Sequence, residues 1–130
     1  MADETILIVE DNLLNRKLVE AILKPLSYRL LTAVNGEEGI EVATRERPDL
    51  ILMDLQMPKV SGYDATEALK SQPETAHITI VALTAHAMAD ERERAMAAGC
   101  DGYITKPVDT RIFPGQVREY LDAPEEGTRG

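Results

Sequence analysis

The sequence predicts an α/β protein built on a doubly wound, five-stranded parallel sheet, a flavodoxin-like (βα)5 architecture. Short apolar runs alternate five times with segments of helical periodicity, which is the pattern of a parallel sheet covered on both faces. The middle run, residues 50–53, is apolar without interruption, as expected for a strand buried on both faces. Because crossovers between parallel strands are right-handed, the expected strand order is 2-1-3-4-5.

The strands are identified as short apolar runs, rich in β-branched residues, that end at turn signals. Asn35-Gly36 supplies such a signal after the second run. Pro58 supplies one after the third run, because proline cannot continue a central ladder. The predicted strands cover residues 5–9, 29–34, 50–54, 78–83 and 101–105.

The helices are identified by apolar residues at helical spacing and by capping residues. Asn12 is a suitable N-cap for the first helix, whose apolar positions are 14, 18, 21 and 22. Gly99 is a natural glycine for the end of the fourth helix. Pro114-Gly115 weaken the fifth helix, which should start late or bend because proline fits only a first turn. The predicted helices cover residues 12–25, 36–47, 61–71, 87–98 and 110–121.

Length and composition indicate one globular domain. The 130 residues, 44% apolar and 28% charged, are predicted to form a domain over residues 1–122 and a polar, disordered tail over residues 123–130. Cys100 is the single cysteine, so no intramolecular disulfide is expected and a cytoplasmic location fits. No apolar run is long enough for membrane insertion. The net charge of -9 argues against direct binding to nucleic acid.

Charged and hydroxyl side chains follow four of the predicted strands. Glu10 and Asp11 come after the first strand, Asp54 after the third, Thr84 after the fourth and Lys106 after the fifth. In the expected order these strand ends are neighbours at the edge where ligands bind in open α/β sheets. Three adjacent carboxylates repel each other unless a cation is present, and Mg²⁺ prefers such oxygen ligands. The alternative for Glu10 and Asp11 is a helix-dipole pair at the start of helix one.

Asp54 is the candidate nucleophile of this edge. A carboxylate can form an aspartyl phosphate, whose phosphoryl group brings about -1.5 to -2 charges. Mg²⁺ and the Lys106 ammonium would neutralise that charge, and the Thr84 hydroxyl can donate to a phosphoryl oxygen. The alternative for Thr84 is an ordinary cap or turn residue, and the alternative for Lys106 is an ordinary surface lysine. A cis bond between Lys106 and Pro107 is expected to aim the ammonium inward.

Four motifs surround these strand ends, and they are Ile8-Val9-Glu10-Asp11-Asn12, Leu52-Met53-Asp54-Leu55-Gln56-Met57-Pro58 with Gly62, Leu83-Thr84-Ala85 and Tyr103-Ile104-Thr105-Lys106-Pro107. With these motifs, the sequence over residues 5–121 resembles the CheY-like receiver domains of two-component response regulators. In motif it is most similar to single-domain receivers of the DivK type and to receivers attached to hybrid kinases. Its Pro114-Gly115 pair departs from the family and argues against a standard dimer through helix four, strand five and helix five.

The resemblance implies a role for each strand-end residue. Asp54 is the phosphoacceptor, and Thr84 and Lys106 bind the phosphoryl oxygens. Tyr103 takes the position of the switch aromatic, which turns inward when Thr84 moves toward the phosphoryl group. An ordinary half-buried strand aromatic is the alternative for Tyr103. The implied ligands of Mg²⁺, for which Mn²⁺ can substitute, are Asp11, Asp54 and the backbone carbonyl of Gln56, with Glu10 acting through water.

The implied function is signalling rather than enzymatic turnover of outside substrates. A sensor histidine kinase or a histidine phosphotransfer protein would donate the phosphoryl group, and a downstream protein target would read the switched surface. The chain is expected to act as a stand-alone receiver, and the alternative is a receiver fragment of a hybrid kinase or transcription regulator. The predicted partner-binding residues are Asn12, Leu14, Asn15, Leu18, Pro107 and Val108, although Leu14 and Leu18 would equally fit the core.

Two other classes of protein share parts of this pattern. An aspartyl-nucleophile phosphatase of the haloacid dehalogenase type needs a second acid two residues after the nucleophile, where Gln56 stands. A flavodoxin-like electron carrier needs a Ser/Thr/Gly loop for the flavin phosphate after strand one, where Glu10-Asp11 would repel it. The sequence departs from each of these two classes at a required position, so the receiver interpretation is favoured.

Overall fold

The computed structural model describes residues 4–57, 60–85 and 88–122, and the five predicted strands and five predicted helices are present in it. The strands are β1 Thr5–Val9, β2 Arg29–Ala33, β3 Leu50–Asp54, β4 Thr79–Thr84 and β5 Gly102–Thr105. The helices are α1 Leu13–Leu23, α2 Gly36–Glu46, α3 Gly62–Ser71, α4 Ala89–Ala98 and α5 Phe113–Asp122, with a short 3-10 turn at Lys24–Leu26. The turn predicted at Pro58, the predicted start of helix four at residue 87 and the predicted tail lie outside the described residues.

The sheet is parallel throughout and has the predicted order β2-β1-β3-β4-β5. β3 lies in the middle, and all five of its residues are buried, which explains why its sequence is apolar up to Asp54. The register places Asp54 beside Leu83 of β4, and Val9 of β1 beside Met53 of β3. The carboxyl ends of β1, β3 and β4 therefore meet at one edge of the sheet.

Alternate side chains of the strands enter two apolar layers, one on each face of the sheet. Leu7 and Ile51 belong to the layer that packs against α2, α3 and α4. Ile8 and Leu52 belong to the layer that packs against α1 and α5. A fully buried leucine or isoleucine stabilises the fold by about 1.5–3 kcal/mol. These layers therefore hold the strands whose ends carry the charged residues.

The helix ends agree with their capping residues. The Asn12 side chain accepts a hydrogen bond from the Asn15 N–H at 2.9 Å, and Gly99 ends α4 with a φ of 114°. The fifth helix does start late, at Phe113 rather than residue 110, so Pro114 falls in the first turn. There its missing N–H removes no helical hydrogen bond. Among the described residues, no helix has the length and apolar character needed to cross a bilayer.

Candidate functional site

Lys106 joins two of the predicted carboxylates. Its Nζ donates to Glu10 Oε1 at 3.0 Å and to Asp54 Oδ1 at 3.2 Å. The three residues end or follow β1, β3 and β5, so parallel pairing brings together side chains up to 96 positions apart. The Lys106 side chain is 16% exposed, unlike a surface lysine, and the bond to Pro107 is cis as expected.

Burial and neighbouring charges shift the pKa values of Asp54 and Lys106. The side chains of Asp54 and Glu10 are 2% and 1% exposed. Burial and the neighbouring Glu10 raise the pKa of the Asp54 carboxyl, although the Gln56 N–H donates to its Oδ1 at 3.1 Å. Burial alone would lower the pKa of Lys106, but the two carboxylates outweigh it and the pKa is raised. Lys106 is therefore a fixed positive charge beside Asp54, whose carboxyl is costly to ionise.

Glu10, Asp11 and Asp54 form an acidic cluster in which each residue offers a carboxylate oxygen within 4.8 Å of the others. Asp11 is exposed whereas the other two are buried, so the cluster opens to solvent on the side of Asp11. One ammonium offsets one of three carboxylate charges, and a hard divalent cation with oxygen ligands fits the remainder. Gln56 lies two residues after Asp54, in the loop at the same edge. The three predicted acidic ligands are therefore brought together, and the role of the Gln56 carbonyl stays a prediction.

Glu10 makes hydrogen bonds with a residue of β2, with a residue of the loop after β1 and with a residue of α1. Its N–H donates to the Ala33 carbonyl at 3.0 Å, and its Oε2 accepts a hydrogen bond from the Asn12 N–H at 3.2 Å. Its carbonyl accepts a hydrogen bond from Arg16 Nη1 at 2.9 Å. Sequence reasoning missed Arg16, because a single arginine in a helix is an ordinary residue. Arg16 lies one helical turn after the N-cap Asn12, on the side that faces the loop, and this spacing is the sequence signal that could have identified it.

Gly62, which belongs to the Asp54 motif, is needed at its position because it has no side chain. A Cβ at this position would lie 2.2 Å from the Asp54 carbonyl oxygen and 2.7 Å from the Leu55 Cα. Any larger residue would push the start of α3 away from the end of β3. The glycine therefore fixes the close turn that presents Asp54 at the edge.

The two predicted switch residues lie on adjacent strands. Thr84 ends β4, is 2% exposed, and its carbonyl accepts a hydrogen bond from the Lys106 N–H at 2.7 Å. Tyr103 of β5 is half-buried, and the Arg92 guanidinium of α4 lies 4.6 Å from the centre of its ring. That distance is within the range of a cation–π contact. The backbone of Thr84 is thus tied to the lysine, and the ring of Tyr103 is in contact with α4.

The residues predicted to bind a partner have different exposures. Leu14 and Leu18 are 78% and 38% exposed, whereas Val19 of the same helix is buried, so the first two are surface residues rather than core. Val108 is 8% exposed and packs in the layer beneath α1 and α5. The structure therefore does not bring Val108 to the surface. The remaining predicted contacts are exposed or half-exposed and comprise Asn12, Asn15 and Pro107.

An open parallel sheet with a lysine-paired aspartate and further acids at its carboxyl edge is the arrangement of an α/β signalling domain. The sequence model of the response regulator receiver domain family matches residues 6–117 of this chain. The chain belongs to this family of two-component signalling domains, which are signalling proteins rather than classical enzymes. The predicted resemblance is confirmed over most of the chain.

Similar proteins include both separate and attached receivers. The polar-differentiation response regulator DivK of Brucella anthropi is 42% identical over 118 residues, 91% of this chain and 96% of the relative. The receiver domain of a Pseudomonas aeruginosa sensor histidine kinase, with magnesium in its active-site cleft, matches 92% of this chain and 98% of its own at 35% identity and a TM-score of 0.85. The third similar structure is a Saccharomyces cerevisiae complex of the histidine phosphotransfer protein Ypd1 with the receiver domain of the response regulator Ssk1. The match covers 91% of this chain and 88% of the matched chain, at 30% identity and a TM-score of 0.82.

Proposed function

We propose that this protein is a phosphoacceptor response regulator in which Asp54 takes a phosphoryl group from a phosphohistidine partner. The observation that carries the proposal is the buried Asp54 carboxylate, paired with Lys106 beside an acidic cluster at the carboxyl edge of a receiver-family sheet. A carboxylate oxygen attacks phosphorus, the new P–O bond forms as the P–N bond breaks, and the histidine nitrogen keeps the electron pair.

The charge of the transferred group determines what the neighbouring residues do. Lys106 is close enough to Asp54 to neutralise a phosphoryl oxygen, and the Thr84 hydroxyl is the proposed donor to a second oxygen. A bound Mg²⁺, or Mn²⁺ in its place, would neutralise the remaining charge. The proposed metal ligands are Asp11, Asp54 and the Gln56 backbone carbonyl, with Glu10 acting through water, a set supported by the acidic cluster and by the magnesium in the Pseudomonas relative.

The proposed output is a change in the surface of α4. When Thr84 moves toward the phosphoryl group, Tyr103 turns into the vacated space and leaves its contact with Arg92. Moving a two-state equilibrium from about 1:99 to 99:1 takes about 5.5 kcal/mol. One hydrogen bond to a charged group supplies about 1.5–3 kcal/mol, so the Lys106 ammonium and the metal contribute as well.

The proposed donor is a sensor histidine kinase or a histidine phosphotransfer protein, and a downstream protein reads the switched surface. The yeast relative was solved with a histidine phosphotransfer protein, which supports this class of donor. We place docking on the exposed start of α1 and the neighbouring loop, at Asn12, Leu14, Asn15, Leu18 and Pro107. Cys100 is a free, buried thiol, which fits the reducing cytoplasm as the place where this phosphoryl transfer occurs.

The DivK match along 96% of that relative favours action as a separate receiver. A receiver that operates within a hybrid kinase is the second candidate, and the kinase-attached Pseudomonas relative favours it. A full-length transcript or a mass of the native protein distinguishes the two. A native mass well above 14.3 kDa for a single chain would favour the attached receiver.

The test of the acceptor is intact-protein mass spectrometry after incubation with acetyl phosphate and Mg²⁺. We expect the wild-type chain to gain one phosphoryl group and Asp54→Ala to gain none, because the nucleophile is lost. NMR signals of the Tyr103 ring should shift in the phosphorylated wild type and not in the variant. Chelation of the metal should abolish the mass gain.

The matched control is Asp64→Ala, which removes an exposed carboxylate in the first turn of α3. This variant should be labelled as fully as the wild type. A mass gain that persists in Asp54→Ala would place the acceptor elsewhere and contradict the proposal.

A further inference from the structure

Arg16 contacts the backbone of the acidic loop rather than any of its carboxylates. Its Nη1 donates to the Glu10 carbonyl at 2.9 Å, and its own N–H donates to the Asn12 carbonyl at 2.9 Å in the first turn of α1. The arginine therefore connects the start of the helix to the end of β1, across the loop that carries Asp11. Its side chain is half-buried, as expected for a guanidinium held by a fixed acceptor.

This contact constrains the Asp11 backbone through the shared peptide plane. The Glu10 carbonyl and the Asp11 N–H belong to one planar unit, so a hydrogen bond to the carbonyl sets the orientation of the Asp11 backbone. The Glu10 side chain is already held by Lys106 at Oε1 and by the Asn12 N–H at Oε2. Asp11 is the exposed member of the acidic cluster, and its backbone depends on the neighbouring plane.

We propose that Arg16 is a positioning residue for cation binding, which it supports by orienting the Asp11 carboxylate toward Glu10 and Asp54. The inference rests on the proposed function, because it names a further residue for the same Mg²⁺ site. Residues that orient metal ligands without touching the metal commonly change metal affinity by about 10- to 100-fold. Loss of Arg16 should therefore weaken Mg²⁺ binding.

The sign of the effect separates positioning from simple electrostatics. A positive charge near a divalent cation repels it, so removing Arg16 would strengthen Mg²⁺ binding if its charge were all that mattered. Removing the hydrogen bond to the Glu10 carbonyl would weaken binding instead. Lys17, the next residue, is exposed and carries the same charge, so it provides the matched comparison.

The experiment is an NMR titration of the wild-type chain, Arg16→Gln and Lys17→Gln with MgCl2, which follows the backbone amides of the strand ends. We expect roughly ten-fold weaker Mg²⁺ affinity in Arg16→Gln, at the lower end of the usual range, and unchanged or slightly tighter binding in Lys17→Gln. Wild-type or tighter affinity in Arg16→Gln would overturn the inference. A wild-type chain that binds no Mg²⁺ would instead overturn the metal site of the proposed function.

A conservative variant guards against a purely structural loss. Arg16→Lys restores a cationic donor at the same place, and we expect it to recover part of the Mg²⁺ affinity lost in Arg16→Gln. The amide spectrum without metal verifies that each variant is folded. A folded Arg16→Lys with no recovery, alongside a folded Arg16→Gln with weak binding, would contradict the role of the hydrogen bond.

Discussion

Lys106 lies between Glu10 and Asp54, and its place follows from the strand order alone. Side chains at the carboxyl ends of neighbouring parallel strands meet whatever their separation along the chain, so the residues of this edge were predictable from sequence. The choice of Glu10 and Asp54, among the three carboxylates, as the partners of the ammonium was not. It depends on rotamers and on the balance between burial and charge, which have no sequence pattern.

The contacts of Arg16 and Arg92 could not be predicted from the sequence either, for a related reason. Each is a long cationic side chain in a helix, and such residues are common on solvated helix faces. One bonds a loop carbonyl and the other lies over the Tyr103 ring. Both contacts depend on where a neighbouring element ends, which only the assembled fold defines.

Leu14 provides a test of the docking surface. The residue is 78% exposed, so Leu14→Asp should leave stability within about 0.5 kcal/mol of the wild type. It should slow phosphoryl transfer from a histidine phosphotransfer protein about ten-fold, because a buried interface anchor contributes roughly 1–2 kcal/mol or more. Labelling by acetyl phosphate should be unchanged, since the small donor needs no docking surface. The measurement is the transfer rate from a radiolabelled phosphotransfer protein.

Met96→Asp is the control for this prediction. Met96 is 49% exposed on α4, on the opposite face of the sheet from α1, and its substitution should not slow transfer. Equal slowing in both variants would argue against docking at the start of α1.

At the scale of the elements, α1 shows how periodicity identifies a helix without fixing its buried face. Apolar residues at 14, 18, 21 and 22 predict the helix correctly, yet the residues buried against the sheet are Val19 and Leu23. Positions 18 and 19 differ by about 100° around the axis. An apolar stripe wider than the contact therefore leaves Leu14 and Leu18 on the surface.

The side chains that α4 buries are those of Ala95 and Ala98, whereas each of the other described α-helices buries at least one larger apolar side chain. Two arginine–tyrosine contacts supplement them, Arg92 with Tyr103 and Arg94 with Tyr63, at 4.6 and 3.9 Å from the ring centres. Such contacts are worth about 0.5–2 kcal/mol each. A rearrangement of Tyr103 therefore removes a sizeable share of what holds this helix.

Two glycines in the last third of the chain have opposite expected effects when changed to alanine. A Cβ at Gly115, in the first turn of α5, meets no described atom within 4 Å, whereas one at Gly102 would lie 2.2 Å from Tyr120 Oη. Gly115→Ala should raise the free energy of unfolding by about 0.5–1 kcal/mol, since alanine loses less backbone entropy. Gly102→Ala should lower it by about 1–3 kcal/mol through overpacking.

Chemical denaturation of both variants measures these changes. A loss of stability in Gly115→Ala would contradict the open space and helical backbone at this position. An unchanged Gly102→Ala would show that Tyr120 can move aside without cost.

At the scale of the whole molecule, sheet order and element type were predictable, and all the strand boundaries were right within one residue. β4 ends at Thr84 rather than residue 83, and β5 begins at Gly102 rather than residue 101. The late start of α5 followed from Pro114. The contacts that connect the first and last elements were not predictable, because charged residues near the two ends carry no shared pattern.

One such contact joins Glu4, beside β1, to Arg118 of α5, and it makes stability depend on pH. The Arg118 guanidinium lowers the pKa of Glu4 below its ordinary value of 4.5. The stabilisation is therefore full above that ordinary value and disappears as the pH falls through the lowered one. Glu4→Gln should lower the free energy of unfolding at pH 7 by about 0.5 kcal/mol, a small value because both side chains are more than a third exposed.

Urea denaturation between pH 7 and pH 3 measures this effect. The difference between Glu4→Gln and the wild type should shrink at the acid end and in high salt. Glu119→Gln, exposed on the same helix, should match the wild type throughout. A difference that does not shrink at all, either toward pH 3 or in high salt, would argue against the ion pair as its cause.

The pairing of Lys106 with Glu10 and Asp54 requires the last strand of the sheet to be in place. Lys106 follows β5, which joins the sheet beside β4, and its carboxylate partner Glu10 lies 96 positions earlier. A chain that is still being synthesised, or that has lost β5 by local unfolding, contains Asp54 without its counter-charge. Such a copy lacks the Lys106 part of the proposed acceptor site, so the proposed phosphorylation of Asp54 is expected to depend on a completed sheet.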